Sequence, residues 1–368
     1  MTIITAAVAR EKGQPLTVEQ LHLDDIRPNE ARVRMVASGV CHTDAIVRDG
    51  VYPTPLPAVL GHEGAGVVEQ VGADVTSVQP GDHIVLSAAY CASCTECQAG
   101  RMAYCENLFA QDFGGRRADG STALSAGDGS QISSHFFGQS SFGSYANVAA
   151  SSLIPVPKSA PLEVLAPLGC GVQTGSGSIL NELRPPAGSS IAITGAGAVG
   201  LAAVMAARVI GCTTIIAADL HEQRLELARE LGATHTAKAA DGPLDEALLA
   251  ATGGRGVNYV LDTTAVPSVL TAAVQALSIG GTLALVGAAA PGTVAPFEIG
   301  LSLVKGWTFK TIIQGSSVPQ QFIPRLIELW SQGRFPFDKM IRNYKLDDIN
   351  LAFSDSACGE TVKPVVVY

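Results

Sequence analysis

The run Ser190-Ile-Ala-Ile-Thr194-Gly195-Ala-Gly197-Ala-Val-Gly200 leads into Leu201-Ala-Ala-Val-Met-Ala-Ala-Arg-Val-Ile210 and then into Thr214-Ile-Ile-Ala-Ala-Asp219. A short apolar run that stops at glycine reads as a buried strand, and the alanine-rich run after it reads as a helix. The spacing predicts a strand at Ser190–Thr194, a helix over Ala198–Ile210 and a second strand at Thr214–Asp219. The alternation continues with a helix at Gln223–Leu231, a strand at Val257–Asp262, a helix near Ser268–Leu277 and a strand at Thr282–Gly287. Strands that alternate with helices form a parallel, doubly wound sheet, so the fold class is α/β with this sheet as one domain, residues 173–313.

The glycines carry chemistry as well as topology. Gly195 permits the tight turn, Gly197 lets backbone approach a pyrophosphate, and Gly200 allows close helix–strand packing, with unpaired N–H groups at the helix start facing the phosphates. A G-x-G-x-x-G pattern alone is weak. Here the second strand ends in Asp219, nineteen residues after Gly200, where a carboxylate accepts hydrogen bonds from the adenosine ribose and repels a 2′-phosphate. The expected cofactor is NAD. Arg224 tempers that choice, because a nearby arginine can accommodate the extra phosphate.

Outside this segment the style changes. Up to about Ser159 short strands (Glu30–Val36, Gly66–Val71, His83–Leu86, Tyr145–Ala149) are separated by Gly/Pro turns, and the N-terminus alternates like a strand. The polar stretch from Gly114 to Ser134 reads as a long surface loop returning to the core at Phe136. After Ile313 the turn-rich style returns, with a helix at Pro319–Gln332 and a strand at Pro364–Val367. The layout expected is a β-rich domain of residues 1–172 and 314–368, interrupted by the doubly wound one.

With 368 residues, 15% of them charged and 5% aromatic, the chain has the composition of a two-domain α/β protein. A net charge of −9 with no cluster of Lys or Arg disfavours nucleic acid and anionic membrane as partners. The most apolar stretch, Leu201–Ala218, contains Arg208 and Gly211, so it reads as buried helix plus strand rather than a membrane span. The N-terminus lacks the pattern of a signal peptide, and a reducing cytoplasm is the expected compartment.

Four of the eight cysteines fall within fifteen residues: Cys91, Cys94, Cys97 and Cys105. The spacing C-x2-C-x2-C-x7-C suits a closed tetrahedral thiolate site for zinc, in a lobe (about 88–110) with little apolar core of its own. A disulfide framework fits short secreted chains, and a four-thiolate iron–sulfur centre is the weaker rival. Cys41, His62 and Cys170 then stand out, each in a small-residue context. Two thiolates and one imidazole leave one tetrahedral position open, the arrangement of a catalytic zinc. Taken singly, a buried cysteine is usually a small hydrophobe and a lone histidine is usually structural. Cys212 and Cys358 keep that bland reading.

Together these residues resemble the zinc-dependent medium-chain alcohol dehydrogenases over nearly the whole length. The markers are Cys41-His-Thr-Asp44, Gly61-His-Glu-Gly64, the four-cysteine lobe, Gly169-Cys-Gly171 with Thr174-Gly175, and the glycine fingerprint, all in family order. The resemblance implies a discontinuous GroES-like catalytic domain around a Rossmann domain. It implies two zinc ions per chain, a catalytic one on Cys41, His62 and Cys170 and a structural one on the quartet. It further implies that Glu63 assists ligand exchange and Asp44 orients His62. Thr43 would pass the substrate proton to the cofactor ribose, and His42 would contact the pyrophosphate. Thr174 and Val199 would pack on the nicotinamide, and Lys363 would lie near the phosphates. In many members a histidine five residues beyond the first zinc-ligand cysteine ends the proton relay. Ile46 stands there, so the relay is expected to end at His42, at water or at the ribose.

For the substrate, family position makes Tyr52, Ser87, Phe109, Phe136 and Phe137 candidate pocket residues, and aromatic walls favour a flat, bulky alcohol. Either Phe136 or Phe137 alone could equally be core. Phe136-Phe-Gly-Gln-Ser-Ser-Phe142 and Pro167-Leu-Gly-Cys-Gly-Val-Gln-Thr174 resemble aryl-alcohol (benzyl-alcohol) and geraniol-type dehydrogenases. The expected reaction is reversible NAD-dependent oxidation of a primary aromatic or allylic alcohol to the aldehyde by a homo-oligomer, a dimer more easily than a tetramer. General aliphatic alcohols and S-hydroxymethylglutathione are the alternatives. The latter is disfavoured because Phe109 replaces the arginine of that branch. A non-catalytic relative acting as a binding protein is the alternative from another class.

Overall fold

The fold is described from a computed structural model, in which residues 2–368 are characterised. The chain divides into two compact units. The first comprises Met1–Cys170, Val318–Ile327 and Met340–Tyr368, and the second comprises Gly171–Ser317 and Glu328–Lys339.

The first unit is built on two largely antiparallel sheets. In the larger, seven-stranded one, Glu30–Gly39 pairs with Gly64–Val71, Tyr145–Ala149 and Lys363–Val367. His83–Leu86 and Leu153–Pro155 extend it on one side and Ile341–Lys345 on the other. In the five-stranded sheet Thr2–Ala9 lies between Ala58–Val59 and Thr17–Leu23. Inward-facing Ile4, Ala6, Val8, Leu21 and Leu23 bury their side chains against Val59, Phe136 and Phe142. That burial, rather than strand propensity, holds a lobe this rich in glycine and serine together.

Two short strands, Leu124–Ser125 and Gln131–Ile132, interrupt the expected surface loop from Gly114 to Ser134 and join the five-stranded sheet. The loop is fixed by Arg117, whose guanidinium donates to Asp24 (2.8 and 2.9 Å) and Glu30 (2.6 and 3.0 Å). Glu30 is buried. Burial alone would raise its pKa, but His135 and Arg117 hold it down to about 2. This ion cluster explains why so polar a stretch is ordered.

The second unit is a six-stranded parallel sheet. Its order is His235–Lys238, Thr214–Asp219, Ser190–Thr194, Val257–Asp262, Leu277–Leu285, Thr308–Thr311. The strands at 190–194, 214–219 and 257–262 and the helix Ala198–Ile210 lie at their expected limits. The helix ends at Gly211 with φ of 95°, a left-handed C-cap open to glycine. The fifth strand starts at Leu277 because the helix before it, Pro267–Gln275, stops earlier than its apolar pattern suggests. No helix among the described residues is long and apolar enough to cross a membrane.

Candidate active site

Three separate segments of the first unit supply one cluster. Cys41 precedes the helix His42–Arg48, His62 and Glu63 precede the strand Gly64–Val71, and Cys170 follows the turn Ala166–Gly169. Their ligand atoms all lie within 4.8 Å of one another. The last turn must run against the strand His83–Leu86, because a Cβ on Gly169 would stand 1.9 Å from the Leu86 carbonyl oxygen. Only glycine permits that approach.

Asp44 fastens the first two segments. Its Oδ2 accepts from the Cys41 amide (3.0 Å), and its Oδ1 accepts from Gly61 N–H (3.1 Å) and faces His62 Nδ1 at 2.9 Å. That contact fixes the imidazole so that Nε2 points into the cluster, and there Nε2 is buried without a hydrogen-bond partner. A buried polar atom left unpaired is costly unless a ligand completes it. Two thiols converge on the same point. Cys41 hydrogen-bonds with Cys170, and this holds the Cys41 pKa well below that of a free thiol while Cys170 is pushed well above it. The pair therefore gives up its first proton readily. An orphaned imidazole nitrogen beside an easily ionised thiol pair is the donor chemistry that fits a zinc ion with one open position.

The second cluster is Cys91, Cys94, Cys97 and Cys105, with sulfurs also within 4.8 Å of one another. Backbone N–H groups of Cys91, Cys94 and Cys97 donate to the Cys105, Cys91 and Cys94 sulfurs at 3.4, 3.4 and 3.5 Å. Hydrogen bonds from Asn107 and Ser93 bring the Cys91 thiol down to about 5. Four sulfurs leave no open position, so this cluster fits a structural ion.

Thr43 Oγ1 lies 3.8 Å from Cys41 Sγ, and His42 is exposed on the first turn of its helix. Lys363 corrects an expectation. Its ammonium is buried and uses its three donors on Glu63 Oε2 (2.9 Å), Glu63 Oε1 (3.0 Å) and the Val40 carbonyl (3.1 Å). It is therefore not presented to cofactor phosphates but neutralises Glu63. Burial raises the Glu63 pKa despite that amine.

Aromatic rings close around His62. Phe137 stacks on the imidazole at 4.5 Å, Phe136 meets it edge-on at 5.6 Å, and Phe113 stands edge-on to both phenyl rings. Tyr52 abuts Phe113 at 5.5 Å. Ser87 is buried, donating to the Gly169 carbonyl at 2.8 Å. Phe109 is 66% exposed, with its ring 5.7 Å from Phe113.

In the second unit a Cβ on Gly200 would stand 1.8 Å from the Gly195 carbonyl oxygen, so the glycine turn closes only without side chains. Asp219 holds that turn: Oδ2 accepts from Ala196 N–H (2.7 Å) and Oδ1 from His221 N–H (2.9 Å), with Arg224 at 3.9 Å. The helix Gly171–Gly177 packs on the start of Ala198–Ile210, where a Cβ on Gly175 would stand 1.9 Å from the Val199 carbonyl oxygen. Thr174 and Val199 thereby come to the same end of the sheet.

Sequence reading missed Asp112, which no motif marks, and gave no role to Gln139 within the run Phe136–Phe142; both are buried polar residues. Asp112 accepts from Ala89 N–H at 3.0 Å, and burial raises its pKa to about 8. Between about pH 4 and pH 8 the unfolded chain releases this proton while the folded chain keeps it. The stability Asp112 contributes is therefore full below about pH 4 and is lost as pH rises to 8. Asp112→Asn keeps the acceptor for Ala89. We expect its Tm to exceed that of the wild type by at least about 5 °C at pH 8 and to match it at pH 4. An equal difference at both pH values in paired thermal melts would refute this assignment.

The model of the alcohol dehydrogenase GroES-like domain matches residues 27–158, and that of the zinc-binding dehydrogenase domain matches residues 198–332. The chain is 43% identical over 365 residues to a geraniol dehydrogenase of Castellaniella defragrans, covering 99% of this chain and 97% of that one. Its fold superposes on the benzyl alcohol dehydrogenase of Acinetobacter calcoaceticus with a TM-score of 0.96 at 44% identity, covering 100% of this chain and 99% of that one. A zinc-binding-domain alcohol dehydrogenase of Burkholderia ambifaria is similar at a TM-score of 0.97 and 51% identity, over 100% and 99% of the two chains. With both domain types matched in order and relatives this similar along their full length, the chain belongs to the zinc-dependent medium-chain alcohol dehydrogenases.

Proposed function

We propose that the chain is an NAD-dependent dehydrogenase for primary aromatic or allylic alcohols, holding two zinc ions, one in each cysteine-bearing cluster. The carrying observation is the apolar aromatic setting of His62, with Phe137 stacked on it and the buried Phe136 and Phe113 packed behind, a setting that suits an apolar substrate. The names of the geraniol and benzyl alcohol relatives support the same substrate class.

Zinc on Cys41, His62 and Cys170 would supply Lewis acidity that lowers the pKa of an alcohol. NAD on Gly195, Gly197, Gly200 and Asp219 would supply the hydride acceptor. The chain itself orients and moves protons. Asp44 holds the imidazole, and the Cys41–Cys170 pair supplies thiolate. Thr43 accepts the alcohol proton, and His42, exposed one residue away, receives it for release to solvent. Ile46 cannot serve as that exit. Asp219, already an acceptor toward the glycine turn, favours the free ribose of NAD over a 2′-phosphate.

In the second unit the strand Thr308–Thr311 forms one edge of the sheet, and Ile299, Leu303 and Val304 on the helix Ile299–Lys305 are 78%, 81% and 79% exposed. We read this as the surface that pairs with a second copy to form a homodimer.

The test is kcat/KM for benzyl alcohol, geraniol, ethanol and S-hydroxymethylglutathione with NAD and NADP, together with zinc content. Burying a phenyl ring removes about 150 Å² of apolar surface, roughly 4 kcal/mol. Benzyl alcohol and geraniol should therefore exceed ethanol by on the order of 100-fold or more, with NAD preferred. Dominant turnover of ethanol or S-hydroxymethylglutathione would reject the aromatic reading. One zinc and no turnover would favour a binding protein.

A further inference from the structure

We propose that Gln139 is a positioning residue for the metal site, tying the ligand His62 to the turn that presents Cys170. This rests on the reading that Cys41, His62 and Cys170 hold a metal. Gln139 is 1% exposed, and its amide is fully used on three backbone groups of two segments. Oε1 accepts from Gly64 N–H at 3.0 Å, while Nε2 donates to the His62 carbonyl at 3.0 Å and the Ser87 carbonyl at 3.3 Å. Ser87 in turn donates its hydroxyl to the Gly169 carbonyl at 2.8 Å, one residue before Cys170. A continuous chain of hydrogen bonds therefore runs from the His62 backbone through Gln139 and Ser87 to the residue before Cys170.

The same side chain couples the ligands to the aromatic wall. Gln139 closes the turn that carries Phe136 and Phe137, its own N–H donating to the Phe136 carbonyl at 3.1 Å. The residues that follow lock onto the approach to His62: Ser141 N–H donates to the Gly61 carbonyl at 2.9 Å and Phe142 N–H to the Leu60 carbonyl at 3.0 Å. A shift of the phenyl wall must then pull on the His62 backbone through Gln139. Chemistry explains why the residue is an amide. The site needs one acceptor and two donors on one side chain, which glutamine supplies. A carboxylate would oppose two carbonyl oxygens, and an apolar residue would strand all three groups.

The experiment compares wild type with Gln139→Met, which keeps length and volume, and Gln139→Glu, which keeps the acceptor for Gly64. Zinc per chain, the rate of zinc release to a colorimetric chelator, and the ligand-field spectrum after cobalt(II) substitution are measured on purified protein. Outer hydrogen-bond partners of metal ligands are typically worth 10- to 100-fold in metal affinity. We expect Gln139→Met to keep the quartet zinc, release the other zinc at least about tenfold faster and shift the cobalt bands, with Gln139→Glu between it and wild type. Wild-type release rates and spectra in Gln139→Met overturn the inference, even if Tm falls, because a purely structural role moves only Tm. If Gln139→Met does not fold, Gln139→Glu decides: wild-type release overturns the inference, and faster selective release supports it. Wild-type protein with a single zinc overturns the metal reading itself, and the two failures are thereby separated.

Discussion

Cys170→Ser is expected to leave the protein folded, with its melting temperature within a few degrees of wild type, and to lower kcat/KM for its preferred alcohol by on the order of 10³-fold or more. A metal Lewis acid is worth several kcal/mol of transition-state stabilisation, and each 1.4 kcal/mol is about tenfold. Folding should survive because Cys170 lies among segments already held by Asp44, Gln139 and Ser87. Cys97→Ser should do the reverse. Its lobe has little apolar core, and structural zinc supplies folding energy directly. Loss of a few kcal/mol there lowers Tm by roughly 10 °C, while residual folded protein retains turnover. Equal effects of the two substitutions on Tm and on kcat/KM would mean that the clusters do not divide their roles this way.

Lys363→Met should be among the most destabilising single changes. It strands the Glu63 carboxylate, which is 0% exposed, and removing one partner of a buried pair typically costs about 3–5 kcal/mol. The pH dependence has a definite sign. Burial raises the Glu63 pKa above its unfolded value, so the stability tied to Glu63 is full at low pH and is lost as pH rises. Without the amine, burial raises the Glu63 pKa further, so the Lys363→Met penalty should grow as pH rises. Glu63→Gln combined with Lys363→Met should recover most of the loss. A double variant as unstable as the sum of the singles would refute the coupling in a double-mutant cycle.

How legible these features were depends on sequence distance. The glycine turn and its strands could be read because their determinants are local: apolar periodicity, absent side chains and a carboxylate at a fixed offset. The cysteine quartet was legible for the same reason, with four ligands inside fifteen residues. Cys41, His62 and Cys170 could be named only by setting the quartet aside and by resemblance to a family. Their convergence depends on a turn that Gly169 lets pass under Leu86. The partner of Glu63 could not be read at all, since Lys363 reaches it across 300 residues through strand pairing.

The sequence by itself determined the α/β class, the cysteine quartet and the dinucleotide turn, because each is encoded by residue type at short spacing, whereas the set Cys41, His62 and Cys170 took the family resemblance to name. Only the tertiary structure decided that Lys363 neutralises Glu63 rather than facing phosphate, and that Phe137 lies flat on the His62 ring. It also decided that Asp112 and Gln139 are buried beside this chemistry. Those outcomes depend on which distant backbones the sheets bring within hydrogen-bonding reach. Burial then makes each polar group either paired or costly, a condition that no local pattern expresses.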